Sequence, residues 1–501
     1  MFSRLGPGFA ALAAAILVAS VFAPATYDDA YITYRYADNL ARGHGFVFNP
    51  GEAVLGTSAP GYAALLAALA TIGRPFGLTV AVAASAVSLA ALVALAIAFV
   101  RFRTPVDEPP RPPGVADYAF VLLLLGSRWI IEMLGSETVP ATALLAWAFL
   151  LVRDARHPVL AGLLTGLAVT FRADTAFAAL ALTLALWWIR RRFPARFVAA
   201  GLLAPLTCAV WLVRLFGSPL PSTLAGKRSE IALAHGGYLA AEWDWLVRSF
   251  SGAGAVLLLL SALAALLLRG EGDRRNRSER ILFLAAAAWI GAHELFYRLV
   301  GVPFSPWYQV APLVALLALA AAGLERLATG LPRPSRGSRV PGWRRAAGLC
   351  AALAVVLPAA IATGRFWREH WSRPPDPRLR VYRDVADELV RRSPANGSVA
   401  AVEIGALAYF SDHRVVDLVG IVDPAILEDR LAGRLADRLR AAPPDYVLDN
   451  PNFHDSFLAF FVRDEALRAD YREIATFRRP EYPFELRLLA RRTDLTHALT
   501  E

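Results

Sequence analysis

Long runs of apolar residues, separated by short polar and charged loops, fill the first 364 residues of the chain. Most runs approach the ~20 residues that a helix needs to cross the hydrocarbon core of a bilayer. We predict about eleven spanning helices, at residues 8–25, 79–100, 116–134, 138–152, 158–171, 174–189, 197–216, 252–268, 281–300, 306–328 and 346–363. The pattern therefore predicts a polytopic α-helical membrane protein.

The loops between these runs differ in charge, and the difference predicts an orientation. Cytoplasmic loops of membrane proteins carry an excess of Lys and Arg. With the N-terminus inside, every predicted inner loop is rich in arginine, namely residues 101–111, 153–156, 190–196, 269–280 and 333–345. The first apolar run lacks a clear cleavage site, so we expect it to be retained as an anchor.

The apolar segment from Pro60 to Gly73 is not counted as a span. Its ~14 residues are too few for a comfortable crossing, and a crossing would place residues 101–111 outside, against the charge rule. We therefore predict an interfacial or re-entrant helix at this position. Residues 26–78 then form one long outer loop.

Residues 365–501 are polar and, by the same topology, lie outside the membrane. Helical periodicity occurs at 380–392, and β-rich stretches occur at 398–403, 415–419, 445–448 and 484–491. We predict an extracytoplasmic α/β domain with a partly parallel sheet, which follows a transmembrane domain formed by residues 1–364.

The composition supports a membrane protein and excludes some functions. Hydrophobic residues make up 56% of the 501 positions. The net charge is +10, but the basic residues are spread over short loops, so we expect no nucleic-acid partner. Both cysteines, Cys208 and Cys350, lie in predicted membrane helices, so we expect no disulfide framework.

Two adjacent carboxylates, Asp28 and Asp29, follow the first apolar run at the outer membrane boundary. Charge at this boundary is costly and is usually paired or functional. Asp28 can serve simply as the N-cap of a helix predicted from Ala30 to Arg42. Alternatively, one carboxylate is a general base for an acceptor hydroxyl, or the pair holds a divalent cation such as Mg²⁺, Mn²⁺ or Ca²⁺. The spacing does not distinguish the roles of the two aspartates.

Further candidates lie near the predicted outer boundary. Tyr31 and Arg35 follow the aspartates at roughly helical spacing, which suits sugar or lipid contact and equally suits an interfacial belt. Glu137 stands on a tight outer turn, where it either caps the next helix or points into a cavity. Arg172 and Asp174 form either a helix-end ion pair or part of the same cavity.

Polar and aromatic residues also occur in or beside the later spans. His293 and Glu294 lie within a predicted span, where ionisable groups pair internally or line a cavity. Trp307 and Tyr308 begin the following helix at the outer interface, either as belt residues or as the border of a lipid groove.

Several segments of the chain share motifs with one superfamily. The strongest is the run DDAYITYRYADNLARGHGFVFNPGE with the TSAPGYAALLAALATIG that follows it. The others are SET at 136–138, FRAD at 171–174, GSPLPSTLAGK at 217–227 and YFSDHRVVDLVGIVDP at 409–424. Together they resemble the GT-C membrane glycosyltransferases, especially bacterial members related to the mycobacterial terminal arabinofuranosyltransferases. Two positions depart from that pattern, Ala173 instead of proline and Ser222 instead of asparagine.

This resemblance implies an inverting transferase on the outer face of the bacterial plasma membrane. Its donor would be a polyprenyl-phosphate-linked arabinofuranose or hexose, and its acceptor a hydroxyl of an envelope glycan or lipid. Such a site needs a base, for which Asp28 is favoured with Asp29 as helper. It also needs cations for the departing phosphate, for which the candidates are Arg172, Arg228 and Lys227, the only lysine of the chain.

Two other functions stay open. A transporter of lipid-linked sugars fits a polytopic protein, although the chain lacks the repeats and the Gly/Pro-broken helix pairs that transporters favour. A non-catalytic envelope assembly factor on the same scaffold is compatible with the same sequence.

Overall fold

A computed structural model gives the structure of the chain. It describes residues 27–103, 115–154, 156–222, 238–250, 252–267, 274–301, 304–329, 376–393 and 397–492, with scattered positions between 343 and 368. The chain divides into two compact units. The helical unit comprises Met1–Pro24, Ala84–Cys208 and His235–Ser372, and the α/β unit comprises Ala25–Ala83, Ala209–Ala234 and Arg373–Glu501.

The helices before the C-terminal region are α1 (Asp28–Arg42), α2 (Pro60–Gly73), α3 (Val80–Arg103), α4 (Val115–Gly126), α5 (Arg128–Glu132), α6 (Thr138–Asp154), α7 (Pro158–Phe171), α8 (Ala176–Arg190), α9 (Ala195–Phe216), α10 (Tyr238–Phe250), α11 (Gly252–Leu267), α12 (Arg274–Val300) and α13 (Pro306–Thr329). Every predicted span within the described residues coincides with a helix, although the one at 116–134 is interrupted at Ser127. The spans predicted at 8–25 and 346–363 lie wholly or largely outside the described residues.

Four helices of the described part are long and apolar enough to cross a membrane: α3, Ala173–Arg190, α9 and Pro306–Leu327. Two shorter apolar helices are Pro158–Phe171 and Gly254–Leu267. The protein is therefore a helical membrane protein, as predicted, whereas the number of eleven spans is not confirmed.

Small residues allow close helix packing in the helical unit. Gly162 and Gly166 lie one turn apart on α7 and face the backbone of α9. A Cβ added at either glycine would lie 2.2 Å from a carbonyl oxygen, of Phe197 or of Gly201 respectively. This small-xxx-small spacing lets two membrane helices approach closely.

The exposed surface of α9 is apolar. Leu202, Leu203 and Leu206 are 48%, 59% and 58% exposed. Exposed apolar patches of this kind are rare on soluble monomers. In a membrane the same side chains contact lipid, while the helix satisfies its own backbone hydrogen bonds.

The C-terminal region alternates helices and strands: α14 (Arg378–Arg392), β1 (Ser398–Ala401), α15 (Gly405–Ser411), β2 (Arg414–Asp417), α16 (Pro424–Leu431), α17 (Leu435–Ala441), β3 (Tyr446–Asp449), α18 (Ala459–Arg463), α19 (Glu465–Ala469), β4 (Tyr471–Arg479) and β5 (Tyr482–Arg491). The sheet has the order β2-β1-β3-β5-β4. β1 pairs in parallel with β2 and β3, and β5 pairs antiparallel with β3 and β4. This mixed sheet agrees with the partly parallel one predicted.

The three parallel strands are short, and most of their residues are apolar and buried in the unit. Val399, Val415 and Val447 are each at most 1% exposed, as is typical of parallel strands covered on both faces. Asp417 ends β2 and accepts the amides of Val419 and Val422 at 2.9 and 2.8 Å. Burial raises the pKa of Asp417 to about 6, although these backbone amides oppose the rise.

The first outer loop groups with the C-terminal region rather than with the spanning helices. Residues Ala25–Ala83 contain α1 and α2 and belong to the α/β unit. The apolar pattern predicts residues 26–78 as part of a domain of residues 1–364, whereas in the structure Ala25–Ala83 group with Arg373–Glu501. The reason is that, besides its local contacts, α1 bonds to Asp376, Gly405, Ala406 and Asp412, more than 300 positions away, which local patterns do not reveal.

Candidate functional site

Helix α1 places both aspartates in its first turn. The backbone at Tyr27 is extended, and the helix ends at Gly43, where φ is 85° and the amide donates to the Leu40 carbonyl. Carboxylates in a first turn are stabilised by the positive end of the helix dipole. Glycine suits the left-handed backbone at the other end.

The Asp28 carboxylate caps a helix other than its own. Its Oδ1 accepts a hydrogen bond from the Ala406 amide at 2.8 Å, and its Oδ2 accepts one from the Gly405 amide at 3.1 Å. These amides belong to the first turn of α15, where helix N–H groups have no partner within the helix. A Cβ added at Gly405 would lie 2.0 Å from the Asp28 carbonyl oxygen. The capping role considered from the sequence is therefore present, but for α15 instead of α1.

Burial dominates the electrostatics of Asp28. It raises the pKa of Asp28 to about 7, against the opposing effect of the Arg378 guanidinium. Arg378 lies 2.6 Å from Asp376 and also pairs with Glu403, while Asp376 accepts the Asp28 backbone amide at 3.2 Å. A carboxyl group with a pKa near 7 has a proton affinity suited to general base catalysis at neutral pH.

Asp29 occupies the next position of α1 and is only partly buried. The two carboxylates therefore differ, because Asp28 is 6% exposed and holds two backbone amides. Within the part of the chain that the structure describes, no group of three or more His, Cys, Asp or Glu side chains could hold a metal ion. A divalent-cation site at Asp28 and Asp29 stays a prediction.

Arg35 connects α1 to the turn after α15. Its side chain is 1% exposed, donates to the Asp412 carboxylate, and donates to the Phe48 carbonyl oxygen at 3.1 Å. Arg42 donates to the other oxygen of Asp412 at 2.8 Å. Partial burial would raise the pKa of Asp412, but the two guanidinium groups outweigh it and hold that pKa below its usual range.

Tyr31 lies in a buried cluster of aromatic rings. Its ring centroid is 5.0 Å from that of Tyr34, 5.4 Å from Tyr409 and 5.2 Å from Phe410. Tyr31 is fully buried, so the described structure gives it, like Arg35, a packing role. Contact of these two residues with a substrate stays a prediction.

Three of the sequence motifs meet in the α/β unit. Asn49, in the first motif, donates to the Val415 carbonyl at 2.9 Å and accepts the Val415 amide at 3.0 Å. Ser222, in the GSPLPSTLAGK motif, donates to the carbonyl oxygens of Leu55 and Ile421 at 3.0 and 2.6 Å. These three motifs are far apart in the sequence, but hydrogen bonds bring them into contact in the folded unit.

A second cluster of charged residues surrounds Arg172 in the helical unit. Helix α7 ends at Phe171, and Arg172 has an extended backbone before the 3₁₀ turn Ala173–Thr175. Its Nε and Nη2 donate to the two oxygens of Asp174 at 3.1 and 2.6 Å, and its Nη1 donates to Glu137 at 3.0 Å. Such two-pronged pairing is the strongest arrangement of arginine and carboxylate. Glu137 therefore pairs with Arg172 across two helix ends.

Asp174 extends this cluster to α12. Its Oδ2 accepts a hydrogen bond from the Tyr297 hydroxyl at 2.8 Å and lies 3.5 Å from His293 Nε2. His293 Nδ1 lies 3.4 Å from Glu294 Oε1, and Gln309 donates to Glu294 Oε2 at 3.4 Å. Asp174 therefore connects Arg172 to Tyr297 and lies beside His293.

Aromatic rings cover one side of Arg172. The guanidinium carbon lies 5.8 Å from the ring centroid of Tyr308, and that ring stacks on Tyr297 at 4.3 Å. The Trp307 ring lies 5.8 Å from Tyr308. Sequence reasoning missed Tyr297, although it is one helical turn after His293, and it missed Gln309, which no pattern indicated.

The structure thus brings most predicted cavity residues together: Glu137, Arg172, Asp174, His293, Glu294, Trp307 and Tyr308. It places Asp28, Asp29, Tyr31 and Arg35 in the α/β unit. Lys227 and Arg228 lie outside the described residues.

Sequence comparison assigns no activity. A family model described as "Domain of unknown function (DUF8728)" matches residues 369–495, in the C-terminal part of the α/β unit. A search of curated proteins finds no match to the chain.

Solved structures are similar over nearly the whole chain. ArnT from Cupriavidus metallidurans, bound to undecaprenyl phosphate, has a TM-score of 0.56 at 13% identity, over 96% of each chain. The chain therefore shares the overall fold of this protein. The archaeal oligosaccharyltransferase AglB from Archaeoglobus fulgidus, in complex with an inhibitory peptide and a dolichol-phosphate, has a TM-score of 0.55 at 13% identity, over 96% of this chain and 74% of its own. The narrower likeness to arabinofuranosyltransferases stays a prediction.

Proposed function

We propose that the protein is an inverting membrane glycosyltransferase with a polyprenyl-phosphate-linked sugar as donor. The observation that carries this proposal is the fold, which is shared over 96% of the chain with ArnT bound to undecaprenyl phosphate. AglB has the same overall likeness and was solved with a dolichol-phosphate. Two proteins of similar fold that hold a polyprenyl phosphate support a lipid phosphate as partner of this one.

The base belongs to the aspartate pair of α1. It must come within hydrogen-bond reach of the acceptor hydroxyl. Asp28 is only 6% exposed, whereas Asp29 is partly exposed and is therefore easier for an acceptor to reach. Asp29 is therefore the better candidate for the base, and Asp28 positions the helix that presents it. Asp28 is the second candidate, because its pKa of about 7 suits a base.

The cations for the departing phosphate include Arg172. A guanidinium carries five N–H donors, and Arg172 directs its donors to Asp174, Glu137 and Thr138. A phosphate oxygen would accept a hydrogen bond from the second N–H of Nη2, or it would replace Glu137 as the acceptor of the Nη1 hydrogen bond. Lys227 and Arg228, which lie outside the described residues, are the other two cations that the sequence offers for a phosphate.

The other members of the cluster hold this guanidinium in place. His293 and Tyr297 fix Asp174, and Asp174 in turn fixes Arg172. Tyr308 and Trp307 offer aromatic surface beside it, of the kind that contacts sugars and prenyl chains.

The proposed substrates and orientation are supported by the family resemblance and the loop charges of the sequence. The α1 motif favours arabinofuranose or a hexose as donor sugar, and an envelope glycan or lipid as acceptor. The arginine-rich loops favour a bacterial plasma membrane with the α/β unit on the outer side.

Transfer by the purified full-length protein in nanodiscs tests the proposal. Polyprenyl-phosphate arabinose and a panel of hexose donors are offered with envelope glycan acceptors. We expect release of polyprenyl phosphate together with a glycoside of inverted anomeric configuration, read by NMR. Movement of intact donor across proteoliposome membranes without bond cleavage would indicate a transporter, and donor binding without either process would indicate an assembly factor.

A further inference from the structure

An apolar groove lies between α8 and α12 of the helical unit. Its volume is about 680 Å³, within the ~300–1,000 Å³ of most ligand sites. Small residues on both helices create the space, with Ala181 and Ala185 on α8 and with Ala285 and Ala288 on α12. None of the groove's lining residues belongs to the Arg172 cluster.

One end of the groove is aromatic and basic. Trp187, Trp188 and Arg191 line it there, and the two indoles are 49% and 55% exposed. Indole rings favour the level of lipid headgroups, and a guanidinium favours phosphate. Arg190 and Arg192 flank Arg191 in the sequence, and the loop charges predict that this end faces the inside.

The backbone at Arg191 is in the left-handed region, which favours glycine. Its φ is 57°, and its amide closes α8 by donating to the Trp187 carbonyl at 2.8 Å. Helices that end in this conformation usually place glycine at this position. An arginine is therefore unfavourable for the backbone, and its guanidinium stands at the rim of the groove.

We infer that this groove binds an anionic phospholipid, with an acyl chain between α8 and α12 and the phosphate at Arg191. An apolar slot that ends in indoles and a guanidinium matches an acyl chain that ends in a phosphate. A zwitterionic lipid would gain less from Arg191, the arginine that lines the groove, because a basic residue attracts an anionic lipid more strongly. The lipid would brace the two helices whose other ends carry Asp174 and His293.

Lipid titration of the delipidated full-length protein, followed by native mass spectrometry, tests this inference. We expect phosphatidylglycerol to bind more tightly than phosphatidylcholine. Arg191→Gln should weaken phosphatidylglycerol binding about fivefold, the equivalent of one basic contact. Its matched control is Arg192→Gln, in an exposed neighbour that does not line the groove, and it should bind as the wild type does.

A second pair of variants tests the groove itself. Ala288→Trp places a large side chain into the groove and should reduce binding of both lipids. Leu180→Trp changes an exposed residue of α8 outside the groove and should not. If Ala288→Trp fails to fold, the comparison of Arg191→Gln with Arg192→Gln tests the inference by itself.

Three results would overturn the inference. One is equal phosphatidylglycerol binding by Arg191→Gln and Arg192→Gln. Another is equal binding of the two phospholipids, or no binding, by the wild type. The third is displacement of phosphatidylglycerol by undecaprenyl phosphate, which would assign the groove to the carrier lipid.

Discussion

The Asp28 carboxylate accepts the backbone amide of Ala406 at 2.8 Å, although 378 positions separate the two residues. A residue that suggests catalysis from its place in the sequence therefore has a structural role in the α/β unit. This role and the proposed chemistry of its neighbour Asp29 can be separated by substitution, because they respond differently to stability and turnover measurements.

Loss of the cap should destabilise the protein. Removing a capping residue costs about 0.5–2 kcal/mol, so Asp28→Ala should lower the midpoint of thermal unfolding in detergent at about pH 4, where the contribution of Asp28 is fully present. Asp28→Asn keeps one acceptor oxygen and should lower it less. Asp384→Asn is the control, because it removes an exposed ion pair with Arg479, and such pairs contribute little. An Asp28→Ala protein as stable as the wild type would contradict the capping role.

The stability due to Asp28 should depend on pH. Burial raises the pKa of Asp28 to about 7 in the folded protein, whereas an unfolded aspartate titrates near pH 4. The folded state thus binds the proton more tightly, so this contribution is fully present below about pH 4 and is lost as pH rises towards 7.

The measurement compares unfolding of the wild type and Asp28→Asn between about pH 4 and 8. Relative to the variant, the wild type should lose up to about 4 kcal/mol across this window. If the stability of the wild type relative to Asp28→Asn increased with rising pH, the pKa of Asp28 would be lowered instead.

A methyl group at Gly405 should separate α1 from α15. The added Cβ would lie 2.0 Å from the Asp28 carbonyl oxygen, and overpacking of this kind costs about 1–3 kcal/mol. Gly405→Ala should therefore lower the unfolding midpoint and increase proteolysis of the α/β unit. Gly291→Ala is the matched control in a helix, since no atom lies within 4 Å of its added Cβ. Equal midpoints for the two variants would refute this contact.

Arg172 should be coupled energetically to Asp174. Arg172→Gln leaves buried carboxylates without their cation, and breaking a buried pair in this way costs about 3–5 kcal/mol. The double variant Arg172→Gln with Asp174→Asn should recover part of that loss, which gives a coupling energy above about 1 kcal/mol. Additive effects in the unfolding cycle would show that the pair contributes nothing specific.

The elements that the sequence predicts well are those with a local signal. Apolar runs of helical length define α3, α9 and α13 almost to their ends. The ion pair of Arg172 with Asp174 was one of two alternatives that the sequence suggested, because residues two positions apart at a helix end are close enough to pair. Strand β4 was missed because most of its side chains are exposed or partly buried, so it lacks an apolar pattern.

The contacts of α1 could not be predicted in the same way. Arg35 pairs with Asp412, and Asp28 with the first turn of α15, across more than 370 positions. A single sequence carries no signal for such pairs. The motifs pointed to a common fold, but only the structure shows that they contact one another.

The most direct test of the account is glycosyl transfer by the wild type and by Asp29→Asn, measured with a polyprenyl-phosphate sugar in nanodiscs. Thermal unfolding and donor binding are measured on the same samples. We expect the wild type to transfer the sugar. Asp29→Asn should bind the donor and unfold normally but lose about 10²–10⁴-fold in turnover, the usual contribution of a general base. Wild-type turnover by Asp29→Asn would contradict the assignment of the base, and absence of transfer by the wild type from every donor would contradict the proposed reaction.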